Sequence, residues 1–311
     1  MPPGVSASPT SFVRPRQARP RKEVHIKIAG APFSWGVCEV PGWGYQMDPS
    51  RVLTEMKQVG LEATEFGPQG WLPEAPLERA EALRLYGLAA VGAFVPVVLH
   101  DPDHDPLPAV RRELNSFEAA GGDVLVLSAN SGLAGYDERP VLDEKGWATM
   151  FANLDRLTEL AASRGIKATL HPHVGTMVEK KAEVLRVLEG SKIPLCLDTG
   201  HLLIGGTDPV ELVATYAERV NHVHAKDVRV DLARRVQSGE LTYTEAVRAG
   251  IYTPLGEGDV DLAGIVGALN KASFDGWYVL EQDTILAEEP TGEGPVKDVR
   301  SSIAYLRNLA G

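Results

Sequence analysis

Cysteine is scarce in this chain of 311 residues: Cys38 and Cys196 are too few to build a disulfide framework. Cys196 falls within a run that reads as a strand, where a buried free thiol is the ordinary explanation, and a reducing cytoplasm is the expected compartment. Long apolar runs are also missing. The longest, such as VGAFVPVVL, are strand-sized and well short of the roughly 18–20 residues a membrane helix needs, so no membrane partner is expected. No GxGxxG follows the first strand-like run, which removes the main dinucleotide-binding signal. Beyond a strand–helix rhythm there is no internal repeat.

Acidic residues are absent from residues 1–22, a Pro- and Ser-rich stretch carrying Arg14, Arg16, Arg19, Arg21 and Lys22. It lacks the continuous apolar core of a secretory signal and reads as a disordered basic tail, leaving 23–311 as the folded domain. Without those five cations the body holds 26 basic residues (31 less 5) against 42 acidic ones, a net charge of −16. A body that acidic repels phosphate backbones, so nucleic acid is not an expected partner.

From Val24 onward, short β-branched runs alternate with longer amphipathic stretches. HIKIAGA, LEATEF, LAAVGAFV, DVLVLSA, IKATLH, IPLCLD, VNHVHA and WYVLEQ read as strands. Helical patterns lie near 49–59, 76–86, 106–120, 145–164, 179–189, 208–218, 261–271 and 296–309. Asp48-Pro49, Asp105-Pro106 and Asp208-Pro209 are helix-start signals, and Gly60, Gly87 and Gly165 sit where helices should stop. Eight such units predict an α/β fold, a single (β/α)8 TIM barrel, over an open doubly wound sheet. Residues 229–257, after the seventh strand, form an insert with short helical patterns of its own. It reads as part of a substrate enclosure, a packing elaboration or an oligomer contact.

Five of the eight histidines fall between positions 171 and 224, each near the end of an apolar run. Barrel strands alternate inward and outward side chains, and the last inward one points at the mouth. His171, Asp198, His224 and Glu281 fit that place on strands five to eight and form a candidate ligand set for one divalent ion. An isolated histidine at a strand end is ordinarily structural; four metal-capable residues on consecutive strands are not. Mixed nitrogen and oxygen ligands suit Mn²⁺, Co²⁺, Fe²⁺ or Zn²⁺, with Mn²⁺ the expectation, and no thiolate is expected in the set. His173, Lys226 and Glu65 are candidate proton carriers, although Glu65 equally suits a hydroxyl acceptor or a structural ion pair. His201, Trp35 and Arg229 are candidate substrate contacts, and Trp35 and Trp71 suit loop packing equally well. His222 points into a lower layer, where a hydrogen-bonded core histidine is the expectation.

The DTGH, HVHAKD and LEQD segments resemble the strand ends of the xylose-isomerase-like barrel superfamily. Within it, ATEFGPQGWLP, HPHVGTMVEKKAEVLRVL, CLDTGHLLIGG, VRAGIYTPLGEGDVDL and FDGWYVLEQD resemble the inosose dehydratase family of inositol catabolism. The resemblance implies a metal-dependent hydro-lyase removing water from a keto-cyclitol or keto-sugar, 2-keto-myo-inositol foremost, through a metal-stabilised enediolate. It also implies a homo-oligomer. Sugar epimerases of the superfamily carry glutamate where this chain has His171, and two metal-bound glutamates on opposite substrate faces exchange the proton. One carboxylate of that pair remains here, Glu281. That favours asymmetric elimination over the alternative, a keto-sugar isomerase or epimerase on the same scaffold. A multi-zinc nuclease lacks its extra early-strand ligands in this chain, and retention of the four candidate ligands speaks against a non-catalytic sugar-binding barrel.

Overall fold

The computed structural model describes residues 26–310. The basic segment 1–22 lies outside them. Eight parallel strands form the barrel wall: β1 (Lys27–Gly30), β2 (Ala63–Thr64), β3 (Ala89–Ala90, resuming as Gly92–Val97), β4 (Val124–Ala129), β5 (Lys167–Leu170), β6 (Leu195–Asp198), β7 (Val220–Ala225) and β8 (Trp277–Leu280). Strand β1 pairs with both β2 and β8, and each later strand pairs with its neighbour in sequence. The ring closes through β3, which the sequence reads as continuous and which breaks at Val91. The Val91 carbonyl accepts from the amides of both Asp123 and Val124, so the strand kinks there. A Cβ on Gly92 would stand 1.8 Å from the Val124 carbonyl oxygen, so only glycine lets β3 and β4 approach this closely.

Eight helices cover the outside: α1 (Pro49–Gln58), α2 (Pro76–Leu85), α3 (Leu107–Ala120), α4 (Glu144–Ala162), α5 (Lys181–Gly190), α6 (Pro209–Tyr216), α7 (Leu262–Lys271) and α8 (Val296–Ala310). Asp48 and Asp208 cap α1 and α6, accepting from the Ser50 amide and from the Val210 and Glu211 amides, each followed by proline at the first helical position. At Asp105-Pro106 the boundary moves by one residue: Pro106 is itself the cap and Leu107 opens α3.

Two apolar layers result. Large side chains such as Leu125, Leu127, Leu195 and Leu197 point out to the helices. A smaller inner cluster of Ala29, Ala63, Val91, Val124, Val126, Cys196 and Val279 fills the barrel interior. Each strand therefore alternates between the two layers, with period two. The small inner residues at the bottom leave the polar ones to occupy the top.

Beyond β7 the insert contains helices Val230–Gln237 and Tyr243–Arg248, and a short antiparallel pair, Asp227–Val228 with Tyr252–Thr253. The buried Asp227 carboxylate accepts from the amides of Val228, Gly256, Gly258 and Val260, and so organises the insert's return. A short helix, Thr199–Ile204, follows β6. No helix among the described residues is long and apolar enough to cross a membrane.

Candidate functional site

Period-two alternation stacks the polar side chains in pairs. Cys196 and Asp198 share the inner face of β6, and His222, His224 and Lys226 share that of β7 and its exit. His171 and His173 leave β5 in the same way, as Glu281 and Asp283 leave β8. Register then sets the levels. Asp198 pairs with His224 and Cys196 with His222 across β6 and β7, while the Glu281 amide bonds the Ala225 carbonyl.

The four expected ligands converge. His171 Nε2 is 3.1 Å from Asp198 Oδ2, His224 Nδ1 is 3.8 Å from the same oxygen, and His224 Nδ1 is 3.1 Å from Glu281 Oε2. Donor atoms bound about 2.0–2.2 Å from a common ion would be spaced by roughly 3 Å or a little more, which is what these distances are. The ring nitrogen His224 Nδ1 and Glu281 Oε1 are buried without a hydrogen-bond partner. A divalent ion between them would meet that unfilled capacity, so the donor set fits such a group.

Glu65 and His222 hold this set from below. Glu65 is completely buried, and its Oε1 accepts from His222 Nε2 at 2.8 Å and from His224 Nε2 at 3.0 Å. Burial opposes ionisation of Glu65, but the charges and hydrogen bonds of His224 and His222 outweigh it and bring the carboxyl down to about 2. The expectation of Glu65 as a proton carrier at the mouth is therefore corrected: it sits beneath His224 and is not a wall of the cavity above. Cys196 is the buried free thiol that the sequence led us to expect, and its sulfur lies close to ring nitrogens of His171 and His224. Burial pushes that thiol up to about 12, which keeps it protonated.

Lys226 is the most heavily engaged cation. Its ammonium lies 2.8 and 2.9 Å from the two Asp283 oxygens, 3.1 Å from Glu281 Oε2 and 3.6 Å from Asp198 Oδ2. Burial alone would favour the neutral amine, yet Asp283, Asp198 and Glu281 hold its pKa well above the usual lysine range. The magnitudes agree: desolvating an ammonium costs several kcal/mol, and each carboxylate near 3 Å offers on the order of 5 kcal/mol of gross attraction. The backbone of Lys226 is fixed as well, because the Thr199 hydroxyl donates to its carbonyl and accepts from its amide.

His173 lies on the other side. Its Nδ1 is 2.6 Å from the Val174 carbonyl oxygen, which can only accept, so the proton is on Nδ1 and Nε2 carries the lone pair. Burial, followed by the charges of His171 and Lys226, drives its pKa well below the usual histidine range, so the ring is neutral. His201, expected at the substrate, stacks behind His173 with ring centres 3.7 Å apart and accepts from Lys226 Nζ at 3.2 Å through Nε2.

Above these groups lies a cavity lined by His171, His173, Lys226, Glu281 and Asp283, with an aromatic wall of Phe33, Trp43, Phe94, Tyr136 and Tyr243. Tyr243 comes from the insert and donates to Asp283 Oδ2 at 2.8 Å, so the insert supplies one residue of the cavity wall. Tyr136 comes from the loop after β4, where Gly175 makes room for it: Gly175 has φ of +75°, and a Cβ there would stand 2.3 Å from the Tyr136 carbonyl oxygen. Two expected substrate contacts are elsewhere. Trp35 is fully buried on the outer side, donating its indole N–H to Glu55 of α1 at 2.8 Å. Arg229 turns to solvent and pairs with Asp231 at 3.2 Å. Trp71 likewise serves packing, donating to the Met47 carbonyl. Asp283, Tyr136, Tyr243 and Glu39, none of them singled out in the sequence, take the places around the cavity instead.

A (β/α)8 barrel with a mixed imidazole and carboxylate centre at the exit of strands β5 to β8 defines the class of protein. Residues 53–309 match the family described as xylose isomerase-like TIM barrel, and the chain belongs to that family. It is similar to an inosose dehydratase from Geobacillus kaustophilus, at 32% identity over 91% of this chain and 94% of that protein. It is also similar to the rhizopine catabolism protein MocC of Rhizobium meliloti, at 34% identity over 92% of this chain and 89% of that one. Among solved structures, an L-ribulose 3-epimerase shares the fold, with a TM-score of 0.67 and 16% identity over 92% of this chain and 95% of that chain.

Proposed function

We propose that this barrel is a carbon–oxygen lyase that removes water from a keto-cyclitol, 2-keto-myo-inositol being the first candidate, with a divalent metal ion at His171, Asp198, His224 and Glu281. The enzyme class rests on likeness to inosose dehydratases along nearly the whole chain. The observation that carries the chemistry is the asymmetry of the cavity: neutral His173 on one side, charged Lys226 on the other, and the ligand set between them. Mn²⁺ is the proposed ion, with Co²⁺, Fe²⁺ or Zn²⁺ compatible with the same donors.

When bound, the ion would supply Lewis acidity to a ketone oxygen and so acidify the neighbouring C–H. His173 Nε2, lone pair exposed to the cavity, takes the proton from that carbon. Lys226 is too firmly paired to act as a base. Its ammonium faces the cavity as a fixed positive charge, suited to a developing oxyanion or a substrate hydroxyl. The aromatic wall keeps bulk water from the carbanionic carbon, and Asp283, anchored by Lys226 and Tyr243, offers an acceptor to a ring hydroxyl.

Epimerisation on the same scaffold is the second reading, favoured by the shared fold of the epimerase structure. It requires a second proton-exchanging carboxylate, and position 171 supplies an imidazole instead. Incubation of the metal-loaded protein with 2-keto-myo-inositol, followed by mass spectrometry, separates the two. Loss of one water is expected; a product of unchanged mass overturns the lyase reading.

A further inference from the structure

We propose that the Glu39 carboxyl group gives its proton to the departing hydroxyl, acting as the catalytic acid opposite His173; this rests on the dehydration reading above. Four carboxyl groups surround the cavity and its floor, and three are committed to cations. Asp198 and Glu281 face His171, His224 and Lys226, and Asp283 grips Lys226 with both oxygens. Glu39 is different. Among the described residues no lysine, arginine or histidine nitrogen pairs with it, yet it lines the same cavity as His173, Lys226 and Glu281.

Its place is built. Gln46 accepts from the Cys38 amide at 2.8 Å and donates to the carbonyls of Gly36 and Gly44, both at 3.2 Å, which fixes the turn that carries Glu39. The turn is tied to the exit of β8 by the Trp43 indole, which donates to the Thr284 carbonyl at 3.0 Å, and by the Tyr45 amide, which donates to the Leu286 carbonyl at 2.7 Å. The Tyr136 hydroxyl donates to Glu39 Oε1, while the same ring packs against His173 with centres 4.3 Å apart. Acid and base thus both touch the Tyr136 side chain, one at its hydroxyl and the other at its ring.

Charge supports the assignment. Burial raises the Glu39 carboxyl above the usual range, and the nearby Asp283 charge adds to this against the Tyr136 hydrogen bond. The other donors around the cavity are held too tightly: burial and Asp283 raise Tyr243, and the three carboxylates keep the proton on Lys226.

The step balances. When His173 takes the proton, the C–H electron pair stays on the substrate, shared with its ketone oxygen as an enolate, and it then forms the new C=C bond. The adjacent C–O bond breaks with its pair on oxygen, and that oxygen takes the Glu39 proton and leaves as water. Glu39 remains as a carboxylate that Tyr136 still bonds. The proton gained by His173 equals the one Glu39 lost, so exchange with water resets both.

The experiment follows 2-keto-myo-inositol in D₂O with the metal-loaded enzyme, reading water loss by mass and exchange of the acidified C–H by NMR. For Glu39→Gln, elimination should fall on the order of 10²–10³-fold, while exchange continues and metal content is unchanged. Glu39→Ala should recover elimination in proportion to added formate or acetate, which a merely structural residue would not. Elimination at the wild-type rate in Glu39→Gln overturns the proposal. So does joint loss of exchange and elimination with metal retained and no rescue of Glu39→Ala. If the wild type exchanges or isomerises without releasing water, the dehydration reading itself fails, and Glu39 loses its role with it.

Discussion

Glu65 Oε1 lies 3.0 Å from His224 Nε2, and this contact decides which imidazole nitrogen faces the carboxylates. A carboxylate oxygen only accepts, so Nε2 keeps its hydrogen and Nδ1 is the nitrogen turned toward Asp198 and Glu281. Glu65→Gln can place an amide group where both histidines donate, which disturbs this orientation with little change in volume. It should weaken binding of Mn²⁺ or Zn²⁺ by roughly 10–100-fold, as loss of such a support usually does. Competition with a chromogenic chelator measures this directly, and unchanged affinity would show that Glu65 serves packing alone.

His224→Ala and Glu281→Ala each remove a donor from the centre itself. Both should lose metal retention and turnover together, measured by elemental analysis after gel filtration alongside water release. Full turnover by a variant with an emptied site would sink the proposed centre.

Acid should reveal the Glu65 pairing in metal-free protein. Burial works against its ionised form, but His224 and His222 prevail, and its pKa falls from the ordinary 4.5 to about 2. A depressed folded value means that the stabilisation is complete above 4.5 and is lost as pH falls toward 2. Over that window the melting temperature of chelator-treated wild type should drop more steeply than that of Glu65→Gln. Parallel curves would contradict the pairing.

Gly175→Ala tests the support of the cavity wall. Its φ of +75° disfavours a side chain, and the added carbon meets the Tyr136 backbone, which cannot swing aside as a flexible side chain can. A loss of about 2–4 kcal/mol in urea unfolding is expected. A loss under about 0.5 kcal/mol, the range of ordinary surface substitutions, would mean that the loop after β4 is free to shift.

Repetition made the barrel legible in the sequence. Eight apolar runs, each followed by an amphipathic stretch, marked the strands and helices within a residue or two, and His171, Asp198, His224 and Glu281 stood where inward-facing strand ends should be. Period two could have been carried further. Asp283 follows Glu281 by the same step that leads from His224 to Lys226, and Cys196 precedes Asp198 by that step. Glu39, Tyr136 and Tyr243 carry no such mark, because loops have no period and their reach depends on distant hydrogen bonds such as those of Gln46. Trp35 and Arg229 misled for the complementary reason. Nearness in sequence to a strand exit does not say which way a side chain turns, and these two face α1 and solvent.

Stacked pairs on each strand make the chemistry tolerant of replacement and intolerant of slippage. Changing His171 to another metal-binding residue leaves Thr169 below and His173 above on their own levels, so a new activity is reachable one substitution at a time. Deleting Asn221 would instead turn His222, His224 and Lys226 to the outer face at once, putting apolar side chains into the mouth. Descendants of this barrel should therefore differ at its mouth by exchanged residues, with gained or lost ones confined to the loops beyond it.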